Sequence, residues 1–326
     1  MRLRRAELGR PGLGRRRRGR SVIFLDVDGR PIRDEEQLAR LRGLAIPPAW
    51  RDVWISPYAN AHIQATGIDA AGRKQYLYHP LWRAKRDEAK FDHVLEVATR
   101  LPVLRKQLSA DLTGRGLSRP RVLAAVSSLL DMGAFRVGND QYAMGDDPTF
   151  GVSTLRPEHA RFRNGCAVLA FPAKGGLAQV REITDPQVCA VLHDLRRRRR
   201  GWERLFAYWE SRSWREVRSD AVNDYLRGAS GGEMTAKDFR TWHATVLAAT
   251  ALAAVGPLRA AAKRRRAVAS VMRDVAGLLG NTPTVARASY VDPRVVDLYH
   301  EGVVARISAG APQPAAEEAV LRLLMD

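Results

Sequence analysis

The stretch Val268-Ala269-Ser270-Val271-Met272-Arg273-Asp274-Val275-Ala276-Gly277-Leu278-Leu279-Gly280-Asn281-Thr282-Pro283 decides how the rest of the chain is read. Val268, Val271, Met272, Val275, Leu278 and Leu279 recur at the i, i+3, i+4, i+7 spacing of a helix with one buried face, and Gly280 stands where a left-handed terminating residue belongs. The spacing predicts a helix with a defined stop. A short polar connector containing Arg287 follows, and then Tyr290-Val291-Asp292-Pro293. A phenol thus sits ten residues past a helix end, on a segment too short to wander. A lone tyrosine commonly packs its ring and wets its hydroxyl, so only companions elsewhere in the chain give it chemistry.

Working outward, 326 residues suffice for two domains or one large one. The chain is 45% apolar and 27% charged, which is ordinary for a globular protein. Its charge balance is not ordinary: 54 Lys and Arg against 35 Asp and Glu leave +19. Such an excess repels itself on compaction and points to a polyanionic partner, nucleic acid first and an anionic membrane second. No apolar run reaches the length of a membrane span, and Ala244 to Val255 reads as a buried helix. Two cysteines, Cys166 and Cys189, cannot alone build a four-ligand zinc site, and a reducing cytoplasm is the simplest compartment.

Residues 1–20 hold nine arginines and one glutamate, and self-repulsion predicts a disordered arm, either solubilising or laid on phosphates. From Ser21 to Tyr78 the β-forming residues, with turn signals at Asp28-Gly29 and Asp69-Ala70-Ala71-Gly72, predict a small antiparallel β domain over 21–88. Asp26-Val27-Asp28-Gly29 has the outline of a haloacid-dehalogenase nucleophile, yet Arg30 and Pro31 break that pattern. Trp50, Trp54, Tyr58, Tyr76, Tyr78 and Trp82 interleave with Arg51, Arg73, Lys74, Arg83, Lys85 and Arg86. Aromatics beside cations suit a surface that hugs nucleic acid, and they equally suit core plus rim.

Residues 89–326 read as mainly helical. Phe91, Val94, Leu95 and Ala98 share one face, as do Val122, Leu123, Val126, Leu129 and Leu130 after Pro120. Gly133 ends the second of these helices, and Phe135-Arg136-Val137-Gly138-Asn139 follows. Three strands are predicted between Ala160 and Ile183, with an Asn164-Gly165 turn and a Pro172-Ala173-Lys174-Gly175-Gly176 loop that sets Lys174 at a hairpin tip. Residues 186–227 read as helical and basic, with arginine at every position from Arg196 to Arg200. After a Gly-rich break, Thr235-Ala236-Lys237-Asp238-Phe239-Arg240-Thr241 opens the apolar helix. Lys237 and Arg240 share a side near its positive end, a local cost that an anion bound in front would offset. Residues 255–263 read as a linker and 315–325 as a final helix.

The Arg136-Val137-Gly138-Asn139 run, the Phe171-to-Gly175 hairpin, the Thr235-to-Thr241 helix start, and Leu279-to-Pro283 with Tyr290-Val291-Asp292-Pro293 behind it occur in one order. In these segments the chain resembles the type IB DNA topoisomerases, in the compact form shared by poxviruses and bacteria. Gln75-Tyr76-Leu77-Tyr78-His79-Pro80 is similar to the bacterial members, whose amino-terminal β domain is one jaw of a DNA clamp. The resemblance implies an α+β fold: a small antiparallel β domain, and a larger helical catalytic domain carrying a three-stranded sheet, as in tyrosine recombinases. It implies Tyr290 as nucleophile, Arg136 and Arg240 on the phosphate, Lys174 as general acid, and Asn281 where many relatives have histidine. Lys237, Tyr76, Tyr78, Lys74 and Tyr142 are implied as DNA contacts. The resemblance also implies duplex DNA as the partner, bound by a monomer acting as a clamp, with neither cofactor nor metal.

A phenol attacking a phosphodiester builds charge on nonbridging oxygens, which guanidiniums neutralise, and its 5′-oxygen leaving group needs a proton. Asn281 donates a hydrogen bond but does not titrate, so no rate step from an active-site imidazole is expected. His243, one turn beyond Arg240, is either a helix-face residue or a substitute donor. Two alternatives stand beside the topoisomerase. A tyrosine recombinase usually has His-x-x-Arg where this chain has Lys237-x-x-Arg240, and a non-catalytic DNA-binding protein would leave Tyr290 structural.

Overall fold

The computed structural model describes residues 1–18, 21–163, 166–198, 203–308 and 310–326, and the chain divides into two units, Met1–Lys90 and Phe91–Asp326. The first unit is built on an antiparallel sheet of β1 (Leu13–Arg18), β2 (Ser21–Leu25), β3 (Arg51–Ile55), β4 (Ile63–Ile68) and β5 (Lys74–Tyr78), in the order β2-β1-β3-β4-β5. Between β2 and β3 lies helix α1 (Glu35–Gly43), whose N-cap Asp34 accepts the Gln37 N–H at 2.6 Å. Leu13, Phe24, Leu41, Ile55 and Ala65 form its core.

Two expectations for this unit are corrected. Over its described residues, 1–18, the arginine-rich start is not a disordered arm, because β1 pairs with both β2 and β3. Leu13 is buried there, and Arg15 is anchored locally by donating to the carbonyls of Ile46, Pro47 and Trp50 at 2.8–2.9 Å. Further upstream, the Ala6 N–H bonds His62 Nδ1 at 2.9 Å. Asp28-Gly29 is a turn, but it leads only to a bridge between Leu25 and Pro31. Asp26 Oδ1 accepts the N–H groups of Asp28 and Arg30, so this carboxylate closes a loop.

On β5 the strand period places Lys74, Tyr76 and Tyr78 together on an exposed face. The two phenol rings stack at 6.1 Å, with Lys74 Nζ 5.8 Å from the Tyr76 centroid. Helix α2 (Pro80–Leu112) begins seven residues before the expected change of character at Asp87 and runs on into the second unit. Its Phe91, Val94, Leu95 and Ala98 are buried, as their spacing predicts.

In the second unit, α3 (Arg119–Asp131) buries Val122, Leu123, Val126, Leu129 and Leu130 on one face. The antiparallel sheet β6 (Ala160–Arg163), β7 (Cys166–Pro172) and β8 (Ala178–Ile183) follows in chain order. The expected Asn164-Gly165 turn lies outside the described residues, as do Arg199 and Arg200. After α4 (Pro186–Arg197) the expected continuous helix is interrupted by a hairpin, β9 (Ala207–Glu210) and β10 (Ser213–Glu216). Ser211 and Arg212 take left-handed φ values of 50° and 61°, Trp209 faces Trp214 across the pair, and the Trp209 N–H bonds the Leu117 carbonyl.

Helices α5 (Ser219–Ser230), α6 (Ala236–Val255) and α7 (Ala261–Leu279) come next, with α6 packed on α7. Gly280 is left-handed at φ 59°, the stop read from the sequence. The connector beyond it is a helix, α8 (Pro283–Ser289), because Thr282 accepts the Val285 N–H and Pro283 fits a first helical position. Helices α9 (Pro293–Glu301) and α10 (Gln313–Met325) complete the chain. Among the described residues, no helix is long and apolar enough to cross a membrane.

Candidate active site

Arg136 is delivered by the turn that ends α3. Gly133 is left-handed at φ 74°, and a Cβ there would lie 2.7 Å from the Cβ of His243, so the chain passes flat over that ring. The Arg136 carbonyl accepts the Val152 N–H at 2.8 Å, and the Val137 carbonyl accepts the Ser153 N–H at 2.7 Å. A Cβ on Gly151 would meet the Gly138 nitrogen at 2.4 Å. Two backbone segments therefore touch where a side chain would part them.

Arg240 rises from the first turns of α6 and is only 4% exposed. Its Nη1 donates to the carbonyls of Ala134 at 3.1 Å and Phe135 at 3.5 Å, and its Nη2 to that of Leu279 at 2.7 Å. Arg136 Nη2 donates to Asn281 Oδ1 at 3.0 Å and to the Leu279 and Gly280 carbonyls at 3.3 and 3.5 Å. Both guanidiniums thus converge on the carbonyl end of α7, which carries partial negative charge. Since Arg136 is a donor only, it fixes the Asn281 amide with oxygen toward itself and nitrogen away. Asn281 Nδ2 and Arg240 Nε are both buried, and neither has an acceptor among the described residues.

Tyr290 ends α8 beside this pair, with the Arg240 guanidinium carbon 5.5 Å from its ring centroid. Its main chain is tied to α6: Thr245 Oγ1 accepts the Asp292 N–H at 3.1 Å, and its one proton is shared between the carbonyls of Thr241 at 2.9 Å and Tyr290 at 3.3 Å. Asp292 in turn caps α9 and holds Arg294. Burial alone would raise the Tyr290 phenol, but Arg240, then Arg136, and also Lys237 more than reverse this and hold it below its ordinary value. Arg240 is lowered to about 10, first by burial and then by the like charge of Arg136. Burial also lowers Arg136, against the opposing pull of Tyr290.

Lys174 stands exposed at the β7–β8 tip, where the Ala173 N–H bonds the Leu177 carbonyl at 2.8 Å. It lines a narrow recess with Arg136, Phe171, Leu279 and Gly280. Lys237 is exposed on α6, and its neighbour Asp238 accepts the N–H and hydroxyl of Thr235 at 2.8 and 2.9 Å. The expected cost of paired cations at that helix start is thus met partly by a carboxylate of the chain itself. His243 does not substitute for histidine at position 281, because its Nε2 faces Asp131 Oδ1 at 3.1 Å. Tyr142 is exposed on a helical turn, Asp140–Tyr142, past the Arg136 loop. Lys74, Tyr76 and Tyr78 lie in the amino-terminal unit, on β5.

The sequence singled out the side chains but not their anchors. The carbonyls of Ala134, Phe135, Leu279 and Gly280 carry no residue signature, although the glycines at 133 and 280 mark the turns that expose them. Thr245 had no signal beyond a polar residue at helical spacing from Thr241.

The model of the eukaryotic DNA topoisomerase I catalytic core matches residues 79–302, a span holding every group gathered around Tyr290. The model of the bacterial DNA topoisomerase IB N-terminal domain matches residues 22–69. The chain is also 28% identical over 296 residues to the DNA topoisomerase 1B of Acanthamoeba polyphaga mimivirus, covering 88% of this chain and 87% of that protein. With more than half of its length matched by the core model, the chain belongs to the type IB DNA topoisomerases, isomerases whose substrate is DNA.

Proposed function

We propose that this topoisomerase relaxes supercoiled duplex DNA by transient cleavage of one strand, through a 3′-phosphotyrosyl ester on Tyr290, without ATP or metal. The Tyr290 phenol gives its proton to solvent, eased by the neighbouring arginines, and its oxygen attacks the scissile phosphorus. The P–O5′ bond breaks as the P–O bond to tyrosine forms, and the 5′-oxygen takes a proton from Lys174 Nζ. Religation runs the same steps backward: the 5′-hydroxyl attacks, neutral Lys174 accepts its proton, and the phenolate leaves. The ester retains the energy of the broken linkage, so no external energy source enters.

The observation that carries this reading is the pair of buried donors without acceptors, Arg240 Nε and Asn281 Nδ2, set beside two guanidiniums and a phenol. Other buried nitrogens such as Arg40 Nε and Arg264 Nε also lack partners, and it is the neighbouring phenol and second guanidinium that single this pair out as a place for an anion. A phosphodiester brings two nonbridging oxygens to them, where donors already fixed in place cost no reorganisation. Tyr76, Tyr78 and Lys74 on β5, together with Tyr142 and Lys237, serve as DNA contacts, and a single chain acts as a clamp around the duplex in the bacterial cytoplasm.

A suicide duplex whose downstream fragment diffuses away, labelled at the 5′ end of the scissile strand, tests the assignment. Wild-type protein should retain the label on a denaturing gel, and Tyr290→Phe should retain none. Equal retention by both would remove Tyr290 as the nucleophile.

A further inference from the structure

Beneath the two arginines lies a buried ionic network that the cleavage reaction does not touch. Arg105 of α2 makes paired hydrogen bonds to Asp131 at 2.7 and 2.9 Å and to Glu317 of α10 at 2.7 and 2.9 Å. Asp131 Oδ1 also meets His243 Nε2 at 3.1 Å, while Gln313 of α10 reaches both Glu317 Oε1 at 2.8 Å and His243 Nδ1 at 3.4 Å. His243 and Glu317 are 8% and 5% exposed. Burial would raise the Asp131 carboxyl, but Arg105 and then His243 keep it below its usual value, so it stays a charged acceptor.

The position of this network is informative. His243 and Arg240 are three residues apart on α6 and face the same way. His243 grips Asp131, the last residue of α3, and Arg240 grips the carbonyls of Ala134 and Phe135. Between the two grips, Gly133 lies against the His243 ring with no space for a Cβ. Arg136 directly follows Phe135, so α6 holds at two points the short turn that presents one arginine and orients the other.

We infer that His243, through Asp131, is a positioning residue for Arg136 and Arg240, and that Glu317 and Arg105 make the carboxy-terminal helix α10 part of that support. The inference rests on the proposed role of Arg240 at the scissile phosphate. Small displacements of a reacting group are expensive, so His243→Phe, which keeps the ring but removes the nitrogen donor, should slow single-turnover cleavage about 10- to 100-fold. His243→Gln, whose amide nitrogen replaces Nε2, should restore most of that rate. Non-covalent DNA affinity, measured for each variant in a Tyr290→Phe background, should change by less than about twofold, because no phosphate contact is removed.

A purely structural role is separated by a substrate carrying a neutral methylphosphonate at the scissile position. There the lost guanidinium contact matters less, so the defect of His243→Phe should shrink in parallel with that of Arg240→Ala. A defect of equal size on both substrates, or no defect, overturns the inference. If Arg240→Ala itself shows no dependence on phosphate charge, the failure belongs to the proposed site and not to His243. Glu317→Gln provides an independent arm: a cleavage loss with the same dependence supports the coupling through α10, and unchanged cleavage removes α10 from it.

Discussion

Arg105 and Arg240 are both half- to fully buried guanidiniums in the same helical unit, and their surroundings are opposite. Arg105 is saturated by two carboxylates, Asp131 and Glu317, and its pKa is raised, since those partners outweigh its burial. Arg240 has no carboxylate partner among the described residues: it donates to carbonyl oxygens, lies beside the Tyr290 phenol, and is lowered by burial and by Arg136. A buried cation whose counter-charge is built into the fold holds helices together. One whose counter-charge is left out waits for a ligand to bring it.

The contrast breaks most visibly through stability. Arg105→Ala strands two largely buried carboxylates and should cost up to about 3–5 kcal/mol, read as a lower urea midpoint. Arg240→Ala removes a charge that nothing in the fold neutralises, so its midpoint should move much less. Cleavage should reverse the ranking between the two contacts with phosphate and fold: loss of the Arg240 donor should slow single-turnover cleavage about 10²- to 10³-fold, judged from donors to developing oxyanions. If Arg240→Ala proves as destabilising as Arg105→Ala and cleaves normally, the distinction fails.

Gly151→Ala sharpens it on a smaller scale. The added methyl would lie within 2.6 Å of the Gly138 backbone and the Arg136 carbonyl, so the Arg136 loop must shift. About 1–3 kcal/mol of strain should appear in urea unfolding, with a cleavage defect and unaltered behaviour of the amino-terminal unit. The smallest effect is in pH dependence. Because Arg240 and Arg136 favour the phenolate, the alkaline-rising limb of cleavage should have its midpoint below about 10, the ordinary tyrosine value. Removing a cation makes the phenolate harder to form, so Arg136→Ala should move that midpoint upward. A midpoint that stays put or falls would mean that Tyr290 does not feel Arg136.

Periodicity made much of this fold legible. The apolar faces of α3 and α7 and the stop at Gly280 could be read because tertiary packing agrees with local pattern there. The arginine run at 15–18 was misleading, since its solvation was judged residue by residue, whereas Arg15 is anchored by three carbonyls brought from the segment that leads into β3. The β9–β10 hairpin escaped notice because Ser211 and Arg212 supply its left-handed turn where Asn-Gly would have announced it. At the site, the chemical groups were visible as residue types. Their holders were not, because main-chain oxygens become specific only once α3, α6 and α7 meet.

Thr245 adds a mechanical consequence. In the proposed covalent state, a swivelling strand pulls on the ester oxygen, and that torque enters the protein at position 290. The Thr245 hydroxyl ties the main chain on both sides of this point to a twenty-residue rod. Load passes into the same rod that carries Arg240, so nucleophile and guanidinium recoil together, and the severed ends find the joint aligned when winding stops.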